Sequence, residues 1–369
     1  MKTKIGSKLT IAALLVVISA IPASLSSNIF AQGPLTLNGA GATFPFPLID
    51  TWRVEYQTVD PGANINYQSI GSGGGVKQFT EKTVDFGASD APLTSEEEAN
   101  APGSLTIPET IGSVVAAYNV PGVPEGLQLT GPILADIFRG VITNWNDPQI
   151  TELNPDVALP DAEIIVAHRS DGSGTTYVWT DYLSAVSPEW ETEVGKGKSV
   201  QWPRGIGAPG NEGVANAISG SENTIGYVEL AYALTTGMPF AHIQNQEGNF
   251  IAPSLESSEA AVSAAAETLP AGDESWTNVT LVNAPGADSY PIASFSYLLI
   301  QKELSDNPTM TQEKATALVN FIDWAITDGQ GFAPELEYVP LPPEVTALNQ
   351  ETLGLVTFNG NPVFTNSTG

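Results

Sequence analysis

Three stretches of the sequence repeat one form, and that form limits the fold more than any other feature. LTLN (35–38) reads as a strand and runs into the small-residue loop GAGAT; a helical pattern follows from about Phe46 to Gln57, with Pro45 and Pro47 suited to its first turn. NINYQSI (64–70) reads as a strand and runs into GSGGG, with a short helix near Val76–Glu81. EIIVA (163–167) reads as a strand and runs into HRSDGSGT. The helix after it carries Val178, Trp179, Tyr182 and Leu183 on one face, by their i, i+1, i+4, i+5 spacing. Short β-rich runs alternating with amphipathic helical runs predict an α/β fold. Each repeat also points the unpaired N–H groups of a helix's first turn, with the positive end of its dipole, at one spot. One such loop is usually no more than a tight connection. Three in one chain can converge on a single ligand.

An anion is the ligand such loops suit, yet the chain is strongly acidic. It has 369 residues, enough for two domains, and a formal net charge of -28. That charge argues against nucleic acid and anionic membrane surfaces as partners. It also repels anions at long range, so any anion site must work by short-range hydrogen bonds. Cysteine is absent, which excludes disulfides, thiolate chemistry, zinc–cysteine sites and a lipid-anchored cysteine. With only His168 and His242, neither a multi-histidine metal site nor a histidine relay is expected. No metal or cofactor is implied.

Lys2, Lys4 and Lys8 precede the apolar run LTIAALLVVISAIPA (9–23). This predicts a secretory signal peptide over 1–31, cleaved after Ala31, with Ala23 as the alternative. An uncleaved anchor is the competing reading, although the run is short for a span and Pro22 interrupts it. Sequons at Asn278 and Asn366 are compatible with an extracellular protein. GIGAPG (205–210) matches G-x-G-x-x-G formally, but Pro203 lies in the run before it and Pro209 inside it. It reads as a turn before the helix EGVANAIS, not as a dinucleotide site. The helical patterns at 258–266, 313–327 and after EYVPLPPEV read as structural.

GAGATFPFPLIDTW (39–52), NYQSIGSGGGVKQFTEKTVDFGASDAPLT (66–94), DIFRGVITNWNDPQI (136–150), HRSDGSGTTYVWTDYL (168–183), IGYVELAYA (225–233) and FIDWAITDGQGFAPELEYVPLP (321–342) follow one another in this order. Through them the chain resembles the periplasmic phosphate-binding proteins of phosphate ABC transporters. The resemblance implies a two-lobed, type II (Venus-flytrap) α/β architecture whose hinge lets it close on one orthophosphate. Lobe I would be residues 33–114 plus 285–369, and lobe II residues 115–284. The implied partners are inorganic phosphate and the permease subunits of an ABC transporter. The implied setting is extracytoplasmic or periplasmic, for a monomer without catalytic residues.

Carried over by motif position, the phosphate contacts would be Thr43, Phe44, Ser72, Asp90, Arg169, Asp171, Ser173, Gly174 and Thr175. Phe44 and Gly174 would act through backbone N–H groups, and Thr43, Ser72, Ser173 and Thr175 through hydroxyls. Arg169 would supply the fixed charge and Asp171 would aim it. Asp90 opposes any anion that brings no proton. Phosphate carries one at neutral pH and sulfate does not, so Asp90 would accept a hydrogen bond from phosphate and reject sulfate. Members of the family often have a second serine where this chain has Gly73. Taken alone, Asp90 fits a turn or cap residue, Asp171 an Asx-turn or N-cap, and Ser173 an ordinary loop hydroxyl. A hydrolase with Ser173 as nucleophile is the competing class, weakened because DGSGT is not G-x-S-x-G. A phosphate-sequestering or adhesion protein is the other alternative.

Overall fold

The computed structural model describes residues 35–263 and 269–364. The expected signal segment 1–31 and the sequon at Asn366 lie outside the described residues. At the centre is one eight-stranded sheet. Its strands are β1 (Leu35–Gly41), β2 (Ala63–Ser69), β3 (Phe86–Ser89), β4 (Ser104–Asn119), β5 (Ile165–Arg169), β6 (Ile206–Ala208), β7 (Thr224–Glu229) and β8 (Ala293–Gln301). They lie in the order β2-β1-β3-β8-β4-β7-β5-β6. β1 runs parallel to β2 and β3, and β5 parallel to β6 and β7. Between these flanks β3, β8, β4 and β7 pair antiparallel.

Parallel neighbours need crossovers, and helices supply them. α1 (Phe46–Val59), α2 (Ser72–Thr80), α3 (Gly174–Val186) and α4 (Gly210–Ser219) each follow one of the flanking strands. α1 begins with prolines in its first turn and buries Leu48, Ile49, Trp52 and Tyr56, the stripe a helix on a sheet requires. The Trp52 Nε1 proton goes to the Gly329 carbonyl at 2.7 Å. Tyr56 packs on Phe321 and Trp324 of α5 (Gln312–Ile326), with 5.2 Å between ring centroids in each pair. The expected face of α3 is present: Val178, Trp179, Tyr182 and Leu183 are all buried.

β4 joins the two flanks. Every residue from Leu105 to Tyr118 is buried, as a strand covered on both faces must be. It pairs with β8 from Ser104↔Gln301 to Ser113↔Ala293, then with β7 from Val114↔Glu229 to Asn119↔Thr224. A bulge interrupts the first ladder. Ser296 lies opposite Thr110 and Tyr297 opposite Pro108, so Glu109 is the extra residue.

Two expectations are corrected, and one segment makes contacts the sequence did not suggest. α2 starts at Ser72 rather than near Val76, so the glycine run is the helix's first turn and not a loop before it. Glycine is a poor helix former, but closeness decides here: a Cβ on Gly75 would lie 2.4 Å from the Gly41 Cα. β5 extends through His168 and Arg169, which therefore stand on a strand end rather than in the loop. The segment around 272–277, expected with the second lobe, bonds to the first-lobe flank instead. The Gly272 carbonyl accepts from the Thr106 N–H at 2.8 Å, the Thr277 hydroxyl donates to the Leu93 carbonyl at 2.9 Å, and Trp276 packs edge-on against Tyr297.

Gly75→Ala forces backbone against backbone at the α2–β1 contact. Overpacking of this kind costs about 1–3 kcal/mol, so urea unfolding is expected to show a lower midpoint with an unchanged slope.

Candidate functional site

The chain brings all the sequence-predicted site residues to one place. Thr43 and Phe44 follow β1, Ser72 opens α2, Asp90 follows β3, Arg169 ends β5, and Ser173–Thr175 open α3. All of these are buried, and Asp171 is partly exposed. The two flanks meet backbone to backbone, with the Gly73 N–H donating to the Gly172 carbonyl at 2.9 Å. The Gly174 N–H donates to the Ser72 hydroxyl at 3.0 Å. Gly71 has φ +86°, and a Cβ there would fall 2.3 Å from Asp171 Oδ2.

Arg169 is the cation of the site, with a side chain only 1% exposed. Its Nε and Nη2 protons fork onto the two Asp171 oxygens at 2.8 and 2.5 Å. The Gly210 N–H adds a third donor to Asp171 Oδ1 at 3.1 Å. Partial burial pushes the Asp171 carboxyl up, but the hydrogen bonds and charge of Arg169 outweigh it and leave its pKa below the usual carboxylate range. Arg169 Nη1 reaches the hydroxyls of Thr43 at 3.1 Å and Thr175 at 3.4 Å.

The hydroxyls are the informative part. A hydroxyl has one proton and two lone pairs. Thr43 Oγ1 accepts from Arg169 Nη1 and from both the N–H and Nδ2 of Asn211, and Thr175 Oγ1 accepts from Arg169 Nη1 and Asn211 Nδ2. Ser173 Oγ caps α3 by accepting from the Thr176 N–H at 3.0 Å. With their lone pairs approached by N–H donors, these three hydroxyl protons find no acceptor among the described residues, and neither does the Phe44 N–H. The site therefore gathers more donors than acceptors, as an oxyanion requires.

Asp90 is the exception. It is 1% exposed; its Oδ1 accepts from the Ser296 hydroxyl at 2.9 Å, and its Oδ2 faces the Ser72 hydroxyl at 3.3 Å. Burial drives its pKa up to about 7, although Ser296, the Arg169 charge, Ser72 and the Thr175 N–H all pull the other way. A Cβ on Gly174 would stand 2.5 Å from Asp90 Oδ2, so the first turn of α3 touches this carboxyl directly.

A serine–histidine pair does not form. The His168 ring stacks on Trp202 with centroids 4.7 Å apart, and its Nδ1 bonds the Arg169 carbonyl oxygen at 3.0 Å. Ser173 Oγ is engaged as a helix cap instead.

Several site residues escaped the sequence reading. Asn211 is fully buried and ties Thr43 to Thr175 through Nδ2, while its Oδ1 accepts from the Glu229 N–H at 3.0 Å. It opens α4 directly behind GIGAPG, which is a fourth copy of the strand, small loop and helix start. Pro209 hid that copy, yet it only precedes the helix. Tyr232 and Tyr338 donate to the carbonyls of Thr43 and Phe44 at 2.5 and 2.6 Å. Ser296 and Glu109 lie on β8 and β4 and left one signal, a lone acid in the buried run TIPETIG.

Comparison with known proteins supports the same family. Residues 28–328 match a family model described as a PBP superfamily domain. The phosphate-binding protein PstS of Xylella fastidiosa is 46% identical over 310 residues, covering 84% of this chain and 82% of that protein. PstS of Pasteurella multocida is 47% identical over 311 residues, covering 84% and 87%. The chain belongs to the PstS family of phosphate-binding proteins. PstS of Methanocaldococcus jannaschii is 37% identical over 350 residues, covering 90% of this chain and 89% of that one. In fold the chain matches a phosphate-binding protein from Stenotrophomonas maltophilia with a TM-score of 0.67 at 22% identity, covering 85% of this chain and 93% of that one. The α/β, two-lobed architecture is thus the PstS architecture.

Asp171→Asn removes the counter-charge of a buried guanidinium. Because Asp171 is itself 23% exposed, the loss falls between exposed and buried pairs, about 1–3 kcal/mol at pH 7. The Asp171 pKa is depressed in the folded state, so its contribution is fully present above the unfolded carboxyl pKa of about 3.9 and is lost as pH falls from there through the lower folded-state pKa. Thermal melts of the two proteins are expected to differ at pH 7 and to draw together only as the pH is taken below the unfolded carboxyl pKa and on through the lower folded-state one.

Proposed function

We propose that this PstS-family chain captures inorganic phosphate between its two lobes by hydrogen bonds and delivers it, chemically unchanged, to the permease of an ABC transporter. The observation that carries this reading is the surplus of buried donors around Arg169, with one carboxyl, Asp90, set among them. Thr43, Phe44, Arg169, Ser173 and Thr175 act as donors, Ser72 and Gly174 exchange the bonds they make here to Asp90 and to each other for bonds to phosphate, Asp171 fixes Arg169, and Asp90 accepts the proton of the bound phosphate. Residues 33–114 plus 285–369 form lobe I and 115–284 lobe II, apart from the stretch around 272–277 that bonds to lobe I. The partner change of β4 between Ser113 and Val114 supports the first crossing point. The protein works outside the cytoplasmic membrane as a monomer, after removal of the signal peptide 1–31. Among the described residues no helix is long and apolar enough to cross a membrane.

The magnitudes are consistent. A micromolar site needs about -8 kcal/mol. Roughly eight hydrogen bonds to a charged ligand, at ~1.5–3 kcal/mol each, exceed this before closure and desolvation are subtracted. The Arg169 charge is already balanced by Asp171, so affinity rests on the hydrogen bonds more than on net charge.

In calorimetric titration at pH 9, where Asp90 with its pKa of about 7 is ionised, the protein is expected to bind phosphate and to bind sulfate far more weakly. A gap of tenfold or less, ~1.4 kcal/mol, contradicts the role of Asp90. Arg169→Ala is expected to weaken phosphate binding about ten- to hundredfold, from the loss of charge-assisted bonds of ~1.5–3 kcal/mol, while the thermal transition stays cooperative.

A further inference from the structure

A serine hydroxyl has a single proton. Ser296 Oγ nevertheless lies 2.9 Å from Asp90 Oδ1 and 3.0 Å from Glu109 Oε1. It can donate to one of them only. If both carboxyls were ionised, the other contact would set lone pair against lone pair in a place water does not reach, since Ser296 and Glu109 are 0% exposed and Asp90 1%. A second proton must therefore lie on this chain of three side chains.

Its place follows from the donors available. Asp90 also has the Ser72 hydroxyl and the Thr175 N–H near it, and feels the Arg169 charge. For Glu109 Oε1 the only hydrogen-bond partner is Ser296, and Oε2 has no partner among the described residues. Among the described residues no cation is found to act on Glu109. β8 brings Ser296; the short helical segment Asp328–Phe332 brings Gln330, whose Nε2 donates to the Glu109 carbonyl at 2.9 Å; and the helix Pro343–Leu353 brings Asn349, whose Nδ2 donates to the Pro108 carbonyl at 2.7 Å. Among the described titratable groups, the Asp90 charge raises Glu109, the Glu109 charge raises Tyr67, and Glu229 senses Asp90. Ionised Glu109 would thus be a buried, unpaired charge beside another carboxylate.

We propose that Glu109 is a positioning residue for phosphate recognition, held as a neutral carboxylic acid whose O–H donates to Ser296 Oγ and so commits the Ser296 proton to Asp90 Oδ1. The relay saturates one oxygen of Asp90 and leaves the other, Oδ2, beside Ser72 and Gly174 to meet the ligand. The β4 bulge provides the means, because the extra residue in a bulge can aim its side chain where the regular ladder would not. Burial, opposed by the Ser296 hydrogen bond and helped by the Asp90 charge, puts the Glu109 pKa at about 8, in agreement with this geometry.

The effect on recognition rests on the phosphate-binding reading, whereas the protonation of Glu109 does not, and two measurements separate them. Infrared spectra of the ligand-free full chain are expected to show protonated-carboxyl absorption at pH 6 to which Asp90 and Glu229 also contribute; one component band of it fades as pH rises through about 8 and is the one missing in Glu109→Gln. Phosphate titrations from pH 6 to pH 10 are expected to show the wild-type affinity falling more steeply than that of Glu109→Gln, so that their ratio changes at least tenfold across the range. Loss of phosphate binding in both proteins at every pH would count against the function but leave the band to decide the protonation. Ser296→Ala retains the acid and cuts the relay; it is expected to shift the band and narrow the preference for phosphate over sulfate. An infrared difference without the band, pH profiles that superimpose, or a band unmoved by Ser296→Ala overturns the proposal.

Discussion

At the centre of this protein lie one buried guanidinium and more buried carboxyls than it can pair. Arg169 is held by Asp171 and its charge reaches Asp90, whereas Glu109 and Glu229 are buried where they sense Asp90 instead. In a chain with 13 basic and 41 acidic residues this is costly, because each buried charge needs a partner. Only Asp171 gets the cation. Burial raises the pKa of the other three carboxyls, to about 7 for Asp90, about 8 for Glu109 and well above the usual range for Glu229. The remaining architecture serves this arrangement. Four strand ends bring their helix starts together, and small residues allow backbones to touch where side chains would hold the lobes apart.

The acidity of the chain and its anionic ligand are reconciled at short range. The surface field reaches only about 8 Å at physiological salt, whereas the donors act in contact. Asn211 shows how the donors are prepared. By occupying the lone pairs of Thr43 and Thr175 it leaves their protons free for a ligand, and its own Oδ1 is fixed by the Glu229 N–H. A hydroxyl held in this way gives specificity without charge.

The parts of the site that were legible in the sequence are those written in small residues next to a strand. GAGATF, SIGSGGG and RSDGSGT each announce a backbone that must come close to something, and all of them line the site. What failed to show depends on tertiary closeness. The glycine run 73–75 reads as a loop by propensity but is helical because it packs against Gly41. The Asn211 turn was hidden by a proline that turned out to precede the helix. Glu109 could not be placed at all, since a bulge belongs to a pair of strands and only one is visible at a time. The course of 272–277 was not legible for the same reason: sequence order says nothing of which flank a long connection bonds to.

The central claim is that the site selects its ligand by a proton facing Asp90. Sulfate brings none, so it can bind only the fraction of protein that carries the proton on Asp90 itself. Sulfate affinity measured by calorimetry from pH 5 to pH 9 tests this most directly. With an Asp90 pKa of about 7, the wild-type affinity is expected to fall about tenfold for each pH unit above 7, in proportion to the competent fraction, while Asp90→Asn binds sulfate with little dependence on pH. A wild-type sulfate affinity that stays level from pH 5 to pH 9 would contradict the account.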